Sequence, residues 1–248
     1  MKILVCISHV PDTTSKINFS EDNTQFDTNG VQFVINPLDE FALTRAMWFK
    51  EKQGASVTVI SIGLANTEPT LRKALAIGAD EAIRVNVEPT DGYQVATQLA
   101  EVAKNEGFDL VLSGKESLDY NGGMVPGMMA EILGYNFINA CISLDIEGSS
   151  CTVSREIDGG KEVLNCDLPL IIGGQKGLVE EKDLRIPNMR GIMMARKKPL
   201  KIIEPVSFEL TTSTLKYEKP KAKGACKIID QNNLDELIQL LHNEAKVI

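Results

Sequence analysis

The sequence predicts an α/β protein: a doubly wound, mostly parallel sheet with an antiparallel extension and an extended C-terminal arm. Three observations predict it. Four short apolar runs recur with helical segments between them, which is the rhythm of parallel strands joined by right-handed crossovers. From about residue 138 the rhythm changes to short runs joined by turn residues. After Pro205 periodicity is lost.

Residues 2–8 are rich in Ile, Leu and Val and alternate little, as a strand buried on both faces does. Residues 57–62, 81–85 and 108–113 repeat the signature. The first helix opens at Asn36-Pro37, with Asn36 as N-cap, Pro37 at the first helical position, and Asp39 and Glu40 facing the positive helix end. Its apolar residues Leu38, Phe41, Ala42, Ala46 and Phe49 keep helical spacing, and it stops before Gly54. Further helices are expected from about Thr67 to Ile77, Asp91 to Glu106 and Gly122 to Leu133, each followed by glycine. Short strands are expected near 139–145, 151–157, 161–166 and 168–173, forming an antiparallel flap. An irregular stretch, 174–199, follows. Thr211 to Lys227 carries five lysines and one proline and buries little alone. A last amphipathic helix, about Asn233 to Glu244, places Leu234, Leu237, Ile238 and Leu241 on one stripe. An arm ending this way either grips a partner or folds back on its own domain, and the residues leave both open. The chain divides into residues 1–203, the α/β domain, and 204–248, the arm.

The 248 residues are 43% hydrophobic and 24% charged, an ordinary globular composition. Net charge is −8, which argues against a nucleic-acid partner because phosphate backbones need a positive face. No apolar run approaches the ~18 residues of a membrane helix. Met1 to Ile7 turns polar too soon for a signal peptide and fits a buried strand. The five cysteines include no Cys-x-x-Cys pair, so they are expected to be reduced thiols in a cytoplasmic compartment. Two histidines, His9 and His242, lie at opposite ends, which argues against a zinc site or a Ser-His-Asp triad. No catalytic residue and no metal ligand is expected. His9, just after the first strand, lines a pocket or is a loop polar group.

Ligands in doubly wound sheets sit beyond the carboxyl ends of the strands, where strand order reverses. That directs attention to loops 8–18, 35–40, 61–68 and 113–124. Neither Gly-x-Gly-x-x-Gly nor a Walker loop is present. What remains is Ser113-Gly114-Lys115-Glu116-Ser117-Leu118-Asp119-Tyr120-Asn121-Gly122-Gly123-Met124-Val125-Pro126-Gly127. Free N–H groups where its helix starts suit a phosphate. An ordinary glycine-rich connection has the same spacing, so the residues alone do not choose.

Two later stretches add information. Arg155-Glu156-Ile157-Asp158-Gly159-Gly160-Lys161-Glu162 contains a tight turn between two strands. Arg185 to Pro199 is an exposed loop with apolar side chains, ending in Met194-Ala195-Arg196-Lys197-Lys198-Pro199. These stretches resemble the β (small) subunit of the electron-transfer flavoproteins when taken in order with four others. The others are Asn36-Pro37-x-x-Glu40, Ala74-Leu75-Ala76-Ile77-Gly78-Ala79-Asp80, Asp109-Leu110-Val111-Leu112 followed by Gly114-Lys115, and Leu118-Asp119. The resemblance runs from residue 2 to about 203. Any one element is weak, and the ordered set is specific.

The resemblance implies an adenine-nucleotide α-hydrolase-like fold and a heterodimer with an α subunit that holds most of an FAD. It implies an electron carrier rather than an enzyme. Electrons would come from client flavin dehydrogenases and pass to a quinone reductase or other acceptor. It implies a structural AMP in this chain, lined by Cys6, Asn36, Pro37, Leu38, Asp39, Ile62, Gly114, Asp119, Asn121, Gly122, Gly123, Met124 and Val125. Relatives commonly carry Asn, Gln or Thr at the helix start, where this chain has Gly122-Gly123-Met124-Val125. Thr13 and Leu38 stand where the family often sets an aromatic residue against the flavin. Loop 185–196 resembles the family's client-recognition loop, with Met189 as anchor and Ile192 and Met193 beside it. Glu156 matches a glutamate that pairs with an arginine of the α subunit. The alternatives are an electron-bifurcating member, with a second FAD in place of AMP, and a stand-alone adenylating enzyme. The latter needs a glycine-rich loop after the first strand, where this chain has Ser8-His9-Val10-Pro11-Asp12.

Overall fold

The computed structural model describes residues 1–248. β1 (Lys2–Cys6) is followed by β2 (His9–Pro11), a β3 (Asn18–Phe19) and β4 (Phe26–Asp27) ribbon, and β5 (Phe33–Ile35). Loop 8–18 is therefore partly sheet: β2 pairs antiparallel with β5. Then come α1 (Pro37–Gln53), β6 (Ser56–Ile62), α2 (Glu68–Ile77), β7 (Glu81–Val85), α3 (Gly92–Glu106), β8 (Leu110–Gly114) and α4 (Val125–Leu133). The chain continues through β9 (Asn136–Glu147), β10 (Ser150–Ile157), β11 (Gly160–Asp167), β12 (Leu170–Gly174), α5 (Met189–Ala195), β13 (Leu200–Ile203) and α6 (Leu234–Gln239).

Nine strands form one sheet in the order β11-β10-β9-β12-β8-β1-β6-β7-β13. From β9 to β13 every pairing is parallel, and the β9–β10 and β10–β11 pairs are antiparallel. This is the expected fold class. Odd residues of β1 (Ile3, Val5) pack with Leu43 and Ala46 of α1 and Leu71 and Leu75 of α2. Even ones (Leu4, Cys6) pack with Leu99 of α3 and Met129 of α4. The period-two alternation of a strand thus feeds a core on each face. Going on from β1, the chain moves one way through β6 and β7, then returns to β8 on the other side of β1. The strand order reverses between β1 and β8, and ligands of doubly wound sheets bind beyond the carboxyl ends of the strands at such a reversal.

Several expectations need correction. Residues 168–173 do not belong to the antiparallel flap. β12 lies between β8 and β9, parallel to both, with Ile171 opposite Val111 and Phe137. Leu170, Ile171 and Ile172 are fully buried, and a run apolar on both faces is at home in a parallel interior, not at a half-wet edge. β9 begins at Asn136 and is likewise reached by a crossover, through α4. Its register shifts opposite Ile172 and Gly174, next to Ala140 at φ 54°. Asn36 does not cap α1 with its side chain. α4 starts at Val125, three residues later than expected, because the loop before it doubles back at a Ser117–Gly122 bridge. Part of the irregular stretch 174–199 is helical as α5. Asn188 caps it by accepting the Gly191 N–H at 2.7 Å. β13 adds an unforeseen parallel edge strand beside β7.

The last helix runs Leu234–Gln239 and continues as a wider turn over Leu240–Ala245, with no buried residue in either. It does not fold back onto the domain. Between Val206 and Lys219 the chain does touch the domain. Gln98 and Val206 exchange two hydrogen bonds of 2.9 Å, Thr212 donates to Asp91 at 2.5 Å, and Phe208 meets Tyr93 edge-on. The Tyr217 N–H donates to the Asn23 carbonyl at 2.7 Å, and its ring stacks on Phe19.

Candidate functional site

The switch point is built from the ends of β1 and β8 and the start of α1. Asp39 is the brace. Its carboxylate accepts the Ser8 N–H, just past β1, and the Gly114 N–H, the last residue of β8, both at 2.7 Å. Burial pushes its pKa up to about 6, while hydrogen bonds from those same amides hold it back. Asn36 is fully buried and joins the loop after β8: its amide donates to the Glu116 carbonyl at 2.9 Å and accepts the Leu118 N–H at 3.3 Å. Gly114 is the close approach. A Cβ there would lie 2.7 Å from both Asp39 Oδ1 and the Leu38 Cβ, and 3.1 Å from Asn36 Nδ2. Only glycine lets α1 dock onto β8 this tightly.

Among the expected nucleotide residues, Asn36, Leu38, Asp39 and Gly114 are thus in direct contact. Cys6 ends β1 beside Asp39. Burial, then the Asp39 charge, drives its thiol far above the ordinary range, so it is an inert wall and not a nucleophile. Ile62 ends the neighbouring strand β6, buried at the same margin of the sheet. Pro37 is exposed at the start of α1.

The loop after β8 supplies the other half. The Ser117 N–H donates to the Gly122 carbonyl at 3.1 Å, with Asn121 at φ 52° making the reversal. Asp119 is exposed and accepts the Tyr120 N–H. A Cβ on Gly123 would lie 3.2 Å from the Lys115 carbonyl, and one on Gly92 would meet the Met124 side chain at 2.7 Å. No side chain caps α4. Within the chain, the N–H groups of Gly123, Met124 and Val125 find no acceptor. Consecutive free N–H groups at the positive end of a helix form an anion cradle. The residues present fit a phosphate held by backbone donors. The side chain of Asn36 is committed to the loop and shapes the wall.

Thr13 is exposed in the loop after β2, and Leu38 is half-buried at the start of α1. Met189, Ile192 and Met193 are exposed on α5, Met189 at 76%. α5 is held from behind on α2. Arg72 donates to the carbonyls of Ala195 and Lys198, both at 2.8 Å, and Ala195 is buried. Gly191 lies so close that a Cβ would meet the Ala76 carbonyl oxygen at 2.3 Å. The methionines therefore face outward and do not belong to the core. Glu156, on β10, accepts a hydrogen bond from the buried Gln175.

Sequence reasoning missed Gln175 and Ser8. Ser8 acts through its backbone N–H, which leaves no mark in residue identity. His9 stacks on Phe33 with centroids 4.3 Å apart and bonds Thr70 at 2.7 Å. Burial lowers its pKa and so favours the neutral ring, packed against Phe33. Open clefts lie elsewhere: one of about 320 Å³ between α1 and β9, and one of about 470 Å³ where Tyr217 meets the β3–β4 ribbon. No helix is long and apolar enough to cross a membrane.

Comparison with known proteins agrees with this geometry. A family model described as the electron transfer flavoprotein domain matches residues 23–207. The chain is 34% identical over 262 aligned residues to the electron transfer flavoprotein subunit beta of Bacillus subtilis, covering all of both proteins. It is 35% identical over 235 residues to the human subunit beta, covering 91% of each. To the mitochondrial subunit beta of Arabidopsis thaliana it is 35% identical over 261 residues, again covering all of both. A doubly wound sheet braced at its switch point, matched over its whole length in this way, belongs to the electron transfer flavoprotein family, among the β subunits.

Proposed function

We propose that this chain is the nucleotide-holding half of a heterodimeric electron carrier. Its partner is an electron transfer flavoprotein α subunit, which holds most of one FAD, and this chain holds one AMP that is not turned over. The observation that carries the reading is the row of three acceptor-free N–H groups, Gly123 to Val125, at the start of α4 over the switch point. These hold the AMP phosphate without side-chain donors. The base and ribose lie between the ends of β1 and β6 and the segments 36–39 and 114–122, which Asn36 and Asp39 keep in register. Asp119 and Asn121 border the same loop.

The flavin supplies reversible one- and two-electron chemistry when bound. The residues of this chain position it, exclude water and dock partners. Thr13 and Leu38 cover one edge of the ring. Met189, Ile192 and Met193 enter an apolar pocket of a client flavin dehydrogenase, with methionine adapting to its shape. Glu156 faces the α subunit, and a quinone reductase or similar acceptor takes the electrons onward. The site of action is the cytoplasm.

The test is nucleotide content. The chain is purified alone and co-expressed with its α partner, and nucleotides released by denaturation are counted. One FAD and one AMP per heterodimer are expected, with no stoichiometric FAD on the isolated chain. Two FAD and no AMP would establish a bifurcating member. Neither nucleotide would mean the α4 start is not a nucleotide site.

A further inference from the structure

β10 and β11 are joined by a tight turn and paired in register along their whole length. In that register Cys151 stands directly opposite Cys166. Directly opposed residues of antiparallel strands have Cα atoms ~4.5–5.5 Å apart and side chains on the same face. That separation falls within the ~4.4–6.8 Å a disulfide spans. The other cysteines have no such partner: Cys6 faces Ile60, Cys141 faces Arg155 and Gly174, and Cys226 lies exposed in the arm.

The two thiols differ in setting. Cys151 is buried in the core cluster, whereas Cys166 is half-buried on the outermost strand of the sheet. Burial pushes both thiols up, Cys151 to about 11. The Cys151 thiol donates weakly to the Ser149 carbonyl at 4.0 Å. Cys166 is thus the more accessible sulfur, with Cys151 directly opposite it across the two strands.

We propose that Cys151 and Cys166 form a redox-active dithiol, which oxidants of the hydroperoxide class convert to an intrachain disulfide. The Cys166 thiolate attacks one oxygen of hydrogen peroxide. The O–O bond breaks, and the departing hydroxide leaves as water after taking a proton. Cys166 is then a sulfenic acid. The Cys151 sulfur attacks the Cys166 sulfur, the S–O bond breaks, and hydroxide leaves with the Cys151 proton as a second water. Two thiols and one peroxide give one disulfide and two waters, and the sulfurs supply both electrons. The bridge closes a loop containing Arg155 and Glu156 and fastens β11, which pairs only with β10, to the rest of the sheet. Thiols reverse the reaction.

The experiment uses the folded full-length chain carrying Cys226→Ser, which removes the exposed thiol able to link two chains. Hydrogen peroxide is added, free thiols are capped, and peptides are mapped. The expected result is a Cys151–Cys166 link that is lost on adding dithiothreitol. In the oxidised chain, amide exchange across Gly160–Asp167 should be slower by about tenfold or more, since the link constrains the opened hairpin. In a Cys151→Ser chain, a Cys166 sulfenic acid trapped by dimedone is expected. Cys166 going on to sulfinic acid while Cys151 is capped as a free thiol would overturn the proposal. So would a link through Cys6 or Cys141, or recovery of both thiols unchanged.

Discussion

The carboxyl end of the sheet and the C-terminal arm use similar residues to opposite ends. At the sheet end, polar groups are buried and matched: Asp39 takes two backbone N–H groups and Asn36 is bonded on both atoms of its amide. Along the arm, apolar groups are left in water, with Leu215 at 85% exposed and Ile228 at 90%. A buried carboxylate is expensive unless bonded, and an exposed apolar series is expensive unless covered. The first region has met its cost within the chain. The second has met it only in places, through Val206, Phe208, Thr212, Tyr217 and Lys219, with Leu215 between them left exposed. The difference separates a surface closed by its own chain from one left open to solvent.

The largest expected effect breaks the comparison on the arm side. Removing residues 220–248 should abolish capture of the α subunit, because the apolar stripe Leu234, Leu237 and Ile238 faces solvent in this chain. The stability of the isolated domain should stay within about 0.5 kcal/mol, the range of surface changes. Affinity capture and urea unfolding together check this. A loss of stability like that of a core mutation would show that the arm belongs to its own domain.

Next comes Gly114→Ala at the braced end. The added methyl meets Asp39 and Leu38 at 2.7 Å, and relief of such overpacking costs about 1–3 kcal/mol. Urea midpoints should fall accordingly, and AMP content should fall with them as the loop after β8 shifts. Unchanged stability would mean that the helix and strand are not held as tightly as the contact implies.

The smallest effect on the fold is expected from Met189→Ala. Met189 touches solvent over most of its surface, so unfolding should hardly change. Truncating an interface anchor is worth about 2 kcal/mol, or roughly thirtyfold in affinity. Steady-state titration with a client dehydrogenase reads it as a raised apparent KM. If no client responds, the exposed methionines are not the docking surface.

Much of the fold is legible locally. The buried runs at β1, β6, β7 and β8, and glycines at helix ends such as Gly54 at φ 68°, state their roles in a few residues. The Asp158-Gly159 turn also declares itself, because chain reversal requires a particular backbone. These signals depend on nearest neighbours along the chain, so they can be read before any long-range contact is known, whereas β13 and α5 carry no such local signal. The ordered set of motifs likewise indicated the family, because such matches depend on residue identity alone.

Where the elements meet is a different matter. That β12 enters the sheet between β8 and β9 follows from burial on both faces, and nothing in Leu170-Ile171-Ile172 names its neighbours. Asn36 has the identity of a helix cap, yet its side chain serves a loop 80 residues away. Asp39 stands in the first turn of α1 as expected, and it also ties β1 to β8 through backbone amides that any residue would supply. Sequence by itself determined most of the strands and helices of the first 134 residues, the family and the apolar series of the arm. Only tertiary structure decided which buried polar group found which partner, because a hydrogen bond is a property of two atoms brought together and the sequence specifies them one at a time.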